Sequence, residues 1–255
     1  MDLRMPSEGL EHYKSASQRA RVSSEAWATR ELYCPCCTSN HLDPLARNTP
    51  VFDFRCSSCD SGFQLKSGAS AFRHSLTDGA YSQMRSAIAK GAAPNLFLLH
   101  YQPDALAVST LTFIPDFAFT LSALERRAPL AATARRAGWV GCNILLDRIP
   151  ADARIFLIRD KKATLPQNVR KAYKRLKPLA SLKAEKRGWT LDVLNVVRSL
   201  NKSEFTLSEA YAFDVSLAAL HPNNAHIRAK IRQQLQVLRD LGLLNFLGDG
   251  CYRLT

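Results

Sequence analysis

The chain has 255 residues, 46% of them hydrophobic, enough for one sizeable core or two smaller ones. Its 35 Lys and Arg stand against 22 Asp and Glu, a net charge of +13 that favours a polyanionic partner, either nucleic acid or an acidic membrane surface. No window approaches the apolar length of a bilayer span, and the opening "MDLRMPSEGLEHYKS" lacks the apolar run of a secretory signal, so a reducing, cytoplasmic setting is expected.

Taken in chain order, residues Glu8 to Arg30 read as a helix, with Leu10, Tyr13, Ala20 and Trp27 in partial helical periodicity. Val51–Arg55 and Phe63–Lys66 are short and alternate in polarity, as strands do. Thr77 to Lys90 reads as a helix. "NLFLLHY", Asn95 to Tyr101, is a buried strand, and Ala105 to Pro115 is its antiparallel neighbour across "QPD". "RIFLIR", Arg154 to Arg159, is a further strand, which makes the core a mixed α/β fold around a short sheet. Twelve basic residues then fall between Arg154 and Arg187, opposed only by Asp160 and Glu185. A basic helix leading into a linker, with phosphate contact, is expected there.

From about Gly188 the rhythm changes. "TLDVLNVVRSL" is a helix with Leu191, Leu194, Val197 and Leu200 in its stripe. "TLSEAYAFDVSLAAL" opens with a capping box, Thr206 and Glu209, and reads as one second helix. The third carries Ile227, Ile231, Leu235 and Leu238 on one side and His226, Arg228, Lys230, Arg232, Gln233 and Gln236 on its other faces. A hairpin about Gly248-Asp249-Gly250 follows. Three helices and a hairpin make the winged-helix pattern, whose last helix enters the major groove, where Arg, Gln and His can read base edges. Winged helices also serve as protein–protein adaptors, so the fold alone does not fix the partner.

Cys34 and Cys37 form one Cys-x-x-Cys pair and Cys56 and Cys59 another, eighteen residues on. In a reducing setting paired cysteines read as metal ligands, and two such knuckles place four thiolates about one tetrahedral Zn2+, as in a zinc ribbon. Four protein ligands leave no open position, so the expected role is structural. Cys36 lies inside the first pair as a bystander, with register exchange with Cys37 as the alternative. Cys142 and Cys251 read as packed thiols.

Interleaved with the knuckles is Asp53, then "QLK", Gln64 to Lys66, on a second strand. An Asp followed by (Asp/Glu)-x-Lys on an adjacent strand is the nuclease arrangement PD-(D/E)xK. Its acids hold Mg2+ against a scissile phosphate, and its Lys, on the same strand face, orients water or offsets phosphate charge. Taken alone the pattern is weak, because such a pair is usually a solvated sheet edge. Pro50 precedes Asp53, with Val51 and Phe52 between them.

Beyond these motifs, the chain is similar along essentially its whole length to the methyl-directed restriction endonucleases of the DpnI family. The stretches that carry the resemblance are "YKSASQRARVSSEAW", "CPCC", "CSSC", "FQLK", "DGAY", "PLAATARRAGWVGCNI", "RGWT", "SEFTL" and "IRQQLQVLRD". It implies a PD-(D/E)xK core with an embedded zinc ribbon and a C-terminal winged helix. It also implies cleavage of double-stranded DNA at GATC when the adenine is methylated on its exocyclic amine. By position, Asp53 matches the first metal-binding carboxylate and Lys66 the catalytic Lys. Gln64 stands where the family has Glu, a departure, since an amide oxygen can ligate a hard cation but brings no charge. Leu65 can lend its backbone carbonyl. Glu25, on the first helix, is a further candidate acid, with a surface-helix role as the bland alternative.

The stretch "ARRAGWVGCN" adds Arg135 and Arg136, suited to phosphates, and Trp139 between Gly138 and Gly141. Trp139 reads either as a core residue on a glycine-allowed turn or as a side chain that wedges against DNA bases, and the resemblance favours DNA. The expected layout is a catalytic domain over residues 1–182, with the zinc ribbon at 33–60 inside it, and a winged helix over 183–255. The chain is expected to act as a monomer. Two rivals are a methyl-DNA-binding regulator with a decayed site, for which Gln64 is the suggestive feature, and an endonuclease of the same build with another target.

Overall fold

The computed structural model describes residues 1–46, 49 and 51–255, so Pro50 lies outside the described residues. In chain order the first elements are α1 (Ala16–Glu31), β1 (Asp43–Pro44), β2 (Phe54–Arg55), β3 (Gly62–Gly68), β4 (Ser75–Ala80), α2 (Tyr81–Lys90), β5 (Asn95–Gln102) and β6 (Ala107–Ile114). There follow β7 (Leu124–Arg126), β8 (Gly141–Leu145), β9 (Ile155–Arg159), β10 (Lys162–Ala163), α3 (Pro166–Leu176) and α4 (Ala184–Ser199). The chain ends with β11 (Glu204–Thr206), α5 (Leu207–Tyr211), α6 (Asp214–Leu220), α7 (Ile227–Asp240), β12 (Leu244–Gly248) and β13 (Cys251–Leu254). They form two compact units.

The first unit comprises Met1–Arg73, Pro94–Asp116 and Ala153–Lys174. Its sheet runs β1-β2-β3-β5-β6-β9-β10, all neighbours antiparallel except the parallel pair β3–β5. The continuous apolar runs of β5 and β6 suit strands covered on both faces. Their side chains join Phe54, Phe63, Phe97 and Phe113, each no more than 2% exposed. Phe63 stacks on Phe97 at 5.3 Å, and Phe113 meets Tyr173 of α3 at 5.9 Å. Truncating one such ring to Ala costs about 3–5 kcal/mol. From the other side α1 buries Ser23, Ser24, Trp27 and Ala28.

The second unit comprises His74–Ala93, Phe117–Asp152 and Arg175–Thr255. One three-stranded sheet, β4-β8-β7, packs with α2. A second, β11-β13-β12, closes the four-helix array α4 to α7. Ile231, Leu235 and Leu238 of α7 and Leu191, Leu194 and Val197 of α4 are buried as their stripes demand, whereas Leu200 is only half-buried beyond the end of α4.

Four expectations need correction. The first helix begins at Ala16 and not near Glu8, because Gly9 at φ 72 and two short turns, Leu10 N–H to Ser7 O and Tyr13 N–H to Leu10 O, occupy the stretch before it. The strand expected from Val51 starts only at Phe54. Val51 has φ 75, which a β-branched residue cannot carry in extended backbone. Residues 77–80 are strand and not helix, since β4 pairs with β8 from Thr77 to Asn143 onward. The helix expected from the capping box is two, α5 and α6, broken at Ala212 and Phe213.

Candidate functional site

The four cysteines converge as their spacing requires. Each knuckle is closed by its own backbone: Cys34 N–H donates to Ser39 O, Cys56 N–H donates to Ser61 O, and Asp60 takes the left-handed turn at φ 61. The sulfur atoms all lie within 4.8 Å of one another, with Cys34 to Cys59 at 3.7 Å and Cys37 to Cys56 at 3.6 Å. A tetrahedron with Zn–S bonds of about 2.3 Å has edges near 3.8 Å, so these separations fit a Zn2+-sized ion. The chemistry of the donors agrees. Burial pushes the Cys37 thiol up to about 12, and a cation is what would keep such a group ionised. At Cys56 burial opposes ionisation, but amide donors from Cys59 and Ser58 outweigh it and bring the thiol down to about 7. Cys36 touches both Cys34 and Tyr173.

One basic residue of α3 is committed to this centre. Arg170 donates to Cys34 O, to Ser39 O at 2.7 Å and to Asn40 Oδ1, and its guanidinium lies over the Tyr33 ring. The sequence assigned it to phosphate; the structure gives it the first knuckle. Arg175 is likewise paired, with Asp152, which is also bound by Arg198 through two hydrogen bonds. Lys161, Lys162, Lys171, Lys174 and Lys177 remain exposed on the same stretch.

Asp53 sits one residue before β2. Its N–H donates to Phe63 O at 2.8 Å, its carbonyl accepts from Leu45 N–H, and its Oδ2 accepts from Leu65 N–H at 2.7 Å. The carboxylate thus takes an amide of β3 that lies beyond the reach of the short strand β2. Continuing the register Phe54↔Phe63 by one residue sets Asp53 opposite Gln64. Gln64 and Lys66, two apart on β3, share the opposite face from the core residue Phe63, and both are half-buried. Gly62 opens the strand because a Cβ there would lie 2.5 Å from the Phe52 ring. The structure therefore brings Asp53, Gln64, Leu65 and Lys66 together where the residue before β2 meets β3. The turn that joins their strands is the second cysteine knuckle.

The candidates for DNA contact lie in the second unit. Arg135, Arg136 and Trp139 occupy the loop between β7 and β8, which is closed by Leu130 N–H to Trp139 O and Gly138 N–H to Leu130 O. Trp139 is neither core nor splayed outward. Its ring folds over Gly141, where a Cβ would lie 2.9 Å away, and Arg136 covers it at 4.7 Å from the centroid. His226, the N-cap of α7, and Arg228, Arg232, Gln233 and Gln236 along the helix are exposed. Arg228 bonds Asp214 at 2.9 Å, and Lys230, half-buried, lies 5.8 Å from the Trp189 ring. Gln234 turns inward to Thr190 at 2.7 Å.

One unit holds a sheet with a cluster of four cysteines that could bind a metal, and the other a helical array with an exposed basic-polar helix. Comparison of the chain with protein families assigns the class. Residues 1–182 match the DpnI, Dam-replacing family, and residues 185–254 match its Dam-replacing HTH domain. The chain belongs to the DpnI family. Among the described residues no helix is long and apolar enough to cross a membrane.

Proposed function

We propose that this chain is a methyl-directed type II restriction endonuclease, cutting double-stranded DNA at GATC when the adenine carries an N6-methyl group. The observation that carries the reading is the Asp53–Leu65 hydrogen bond, which joins the lone Asp to the "QLK" strand in a chain of the DpnI family. Residues 1–182 form the PD-(D/E)xK catalytic domain, with the zinc ribbon at 33–60, and residues 183–255 form the winged helix. The protein works as a monomer in the cytoplasm of a prokaryote.

The donors of the catalytic site are hard oxygens: Asp53 Oδ1, the Gln64 amide oxygen and the Leu65 carbonyl. They suit Mg2+, which supplies Lewis-acid stabilisation of the charge developing on the phosphate. Asp53 Oδ2 is already held by Leu65 N–H, so the carboxylate presents its second oxygen in a fixed direction. Lys66 stands on the same strand face and offsets phosphate charge or orients the attacking water. Cys34, Cys37, Cys56 and Cys59 would hold a structural Zn2+ that ties down the turn between the two catalytic strands. Arg135, Arg136 and Trp139 contact DNA from the loop, and His226, Arg228, Lys230, Arg232 and Gln233 meet it from α7 in the major groove. The methyl groups of the site are read as apolar area, worth about 0.8 kcal/mol per buried carbon.

Digestion of methylated and unmethylated plasmid with magnesium tests the reading. Cleavage of methylated GATC alone is expected. A different fragment ladder would assign another target sequence. Binding without cleavage would favour the second reading, a methyl-DNA-binding regulator, which Gln64 supports by withdrawing one charge from the site.

A further inference from the structure

We propose that Arg126 and Arg127, at the end of β7, join Arg135 and Arg136 in an arginine clamp that grips the phosphates of duplex DNA whatever its sequence or methylation. The inference rests on the DNA-binding part of the reading above and deepens it. It adds two contacts and separates the grip on the backbone from the recognition of methyl groups. The backbone of the protein brings the two arginine pairs together. Arg127 N–H donates to Gly141 O at 3.1 Å, Leu130 N–H to Trp139 O at 2.9 Å, and Gly138 N–H to Leu130 O at 3.0 Å. These bonds extend the β7–β8 ladder, in which Arg126 stands opposite Cys142. Pairs that lie nine positions apart in the chain therefore share one hairpin. Over Gly141 the stem of Arg127 meets the Trp139 ring, since a Cβ there would lie 3.7 Å from Arg127 Cδ and 2.9 Å from the ring. Arg136 covers the same ring, 4.7 Å from its centroid. Trp139 is thus met by one arginine of each pair, and these contacts narrow the freedom of both side chains before any ligand arrives.

The second observation is charge. None of residues 126 to 146 is acidic. The acid just before them, Glu125, is taken by Asn143, whose Nδ2 donates to Glu125 Oε2 at 2.7 Å. All four arginines are exposed, and among the described residues none of them forms an ion pair. Other exposed arginines of the same unit are committed: Arg175 to Asp152, Arg228 to Asp214 and Arg253 to Glu204. Four like charges on one short hairpin repel one another in the free protein, and a row of phosphates relieves that repulsion. Every basic side chain of the loop is Arg and none is Lys. The planar guanidinium fork takes two phosphate oxygens at once, which an ammonium does not. Phosphate contacts read no bases, so the clamp holds methylated and unmethylated duplex alike.

The experiment is a salt titration of duplex binding by the full-length protein, followed by fluorescence anisotropy on methylated and unmethylated duplexes of one sequence. In the double variant Arg126→Gln with Arg127→Gln, the slope of log affinity against log salt should become shallower by about 1.8, because each lost phosphate contact removes about 0.9. The loss should be equal on the two duplexes, so the ratio of their affinities keeps its wild-type value. Arg126→Lys with Arg127→Lys keeps the charge and should restore the slope, which a role confined to packing over Gly141 does not predict. Arg85→Gln, at an exposed position of α2, controls for general loss of positive charge and should keep the wild-type slope. Thermal unfolding verifies that each variant is folded, and Arg126→Gln alone carries the test if the double variant is not. A wild-type slope in the Gln variants, or the same shift per charge in Arg85→Gln, would overturn the clamp while leaving DNA binding through α7 and Trp139 standing. A loss confined to methylated duplex would overturn it too, by making the pair readers of the methylated site. Failure of the wild-type protein to bind either duplex would overturn the DNA-binding reading itself.

Discussion

Asp53 Oδ2 accepts the amide proton of Leu65 across the start of the β2–β3 hairpin, at 2.7 Å. The bond is charge-assisted and local, and it aims a carboxylate whose own residue lies outside any regular strand. On the nuclease reading, Asp53→Ala therefore removes the carboxylate assigned to the metal and frees the Leu65 amide together. Plasmid cleavage is expected to fall by at least about a hundredfold, while binding of methylated duplex persists, because base contacts lie elsewhere. Lys66→Ala is expected to behave alike. Undiminished cutting by Asp53→Ala would remove the residue from the site.

Gln64→Glu adds formal charge opposite Asp53. The magnesium concentration for half-maximal cleavage should drop, with no change in which site is cut. A titration with an unchanged or weaker magnesium response would show that Gln64 ligates nothing.

The first knuckle depends on Arg170 as well as on its thiolates. Arg170→Ala abandons two carbonyls and the Asn40 side chain, with an expected loss of about 2 kcal/mol and faster zinc release to a chromogenic chelator. Full zinc removal should unfold the region around Cys34, Cys37, Cys56 and Cys59 and abolish cutting. Retention of both stability and zinc by Arg170→Ala would reduce the residue to surface charge.

For α7, point substitutions are cleaner than removal of residues 183–255. α4 buries Trp189, Leu191, Val193 and Leu194 and packs against α2, so truncation would strip apolar cover from what remains of the second unit. Arg232→Ala and Gln233→Ala should each weaken binding of methylated GATC by about 1–3 kcal/mol if they touch bases, measured by fluorescence anisotropy on matched and mutated sites. Uniform weakening across all sequences, with a shallower salt slope, would reassign them to phosphate.

The capping box of α5 gives a stability test independent of catalysis. Thr206 Oγ1 accepts from Glu209 N–H, and Glu209 Oε2 accepts from Thr206 N–H. Thr206→Ala should cost about 1 kcal/mol. The Lys202 ammonium, with help from the Thr206 amide, holds the Glu209 carboxyl down at about 2, against 4.5 for the free side chain. A depressed carboxyl stabilises the fold above its unfolded value, so the Glu209 contribution should be complete above pH 4.5 and disappear as pH falls towards 2. Denaturant titrations of wild type and Glu209→Gln at pH 6 and pH 3 measure it. The gap between the two proteins should narrow at the lower pH.

Much of this could be read in the residues. The runs of β5, β6 and β9 declared themselves because continuous apolar sequence bounded by turns has few other solutions. The knuckles did so because two Cys-x-x-Cys pairs leave little else for the thiols to do. Residues 77–80 were illegible because their strand character comes from β8, some sixty positions on. Arg170 was misread for the same reason: Cys34 is 136 positions away, and charge in a basic run says nothing about which cations are spent inside.

The turn between β2 and β3 also bears on how this lineage can vary in length. An inserted residue between Cys56 and Cys59 would enlarge the chelate loop and slide Asp53 along the strand that carries Lys66, so two unrelated chemistries would fail in one mutational step. Between Leu130 and Trp139 the backbone hydrogen bonds run within the loop itself, so a changed length there would disturb no partner strand and would act only through Arg135, Arg136 and Trp139.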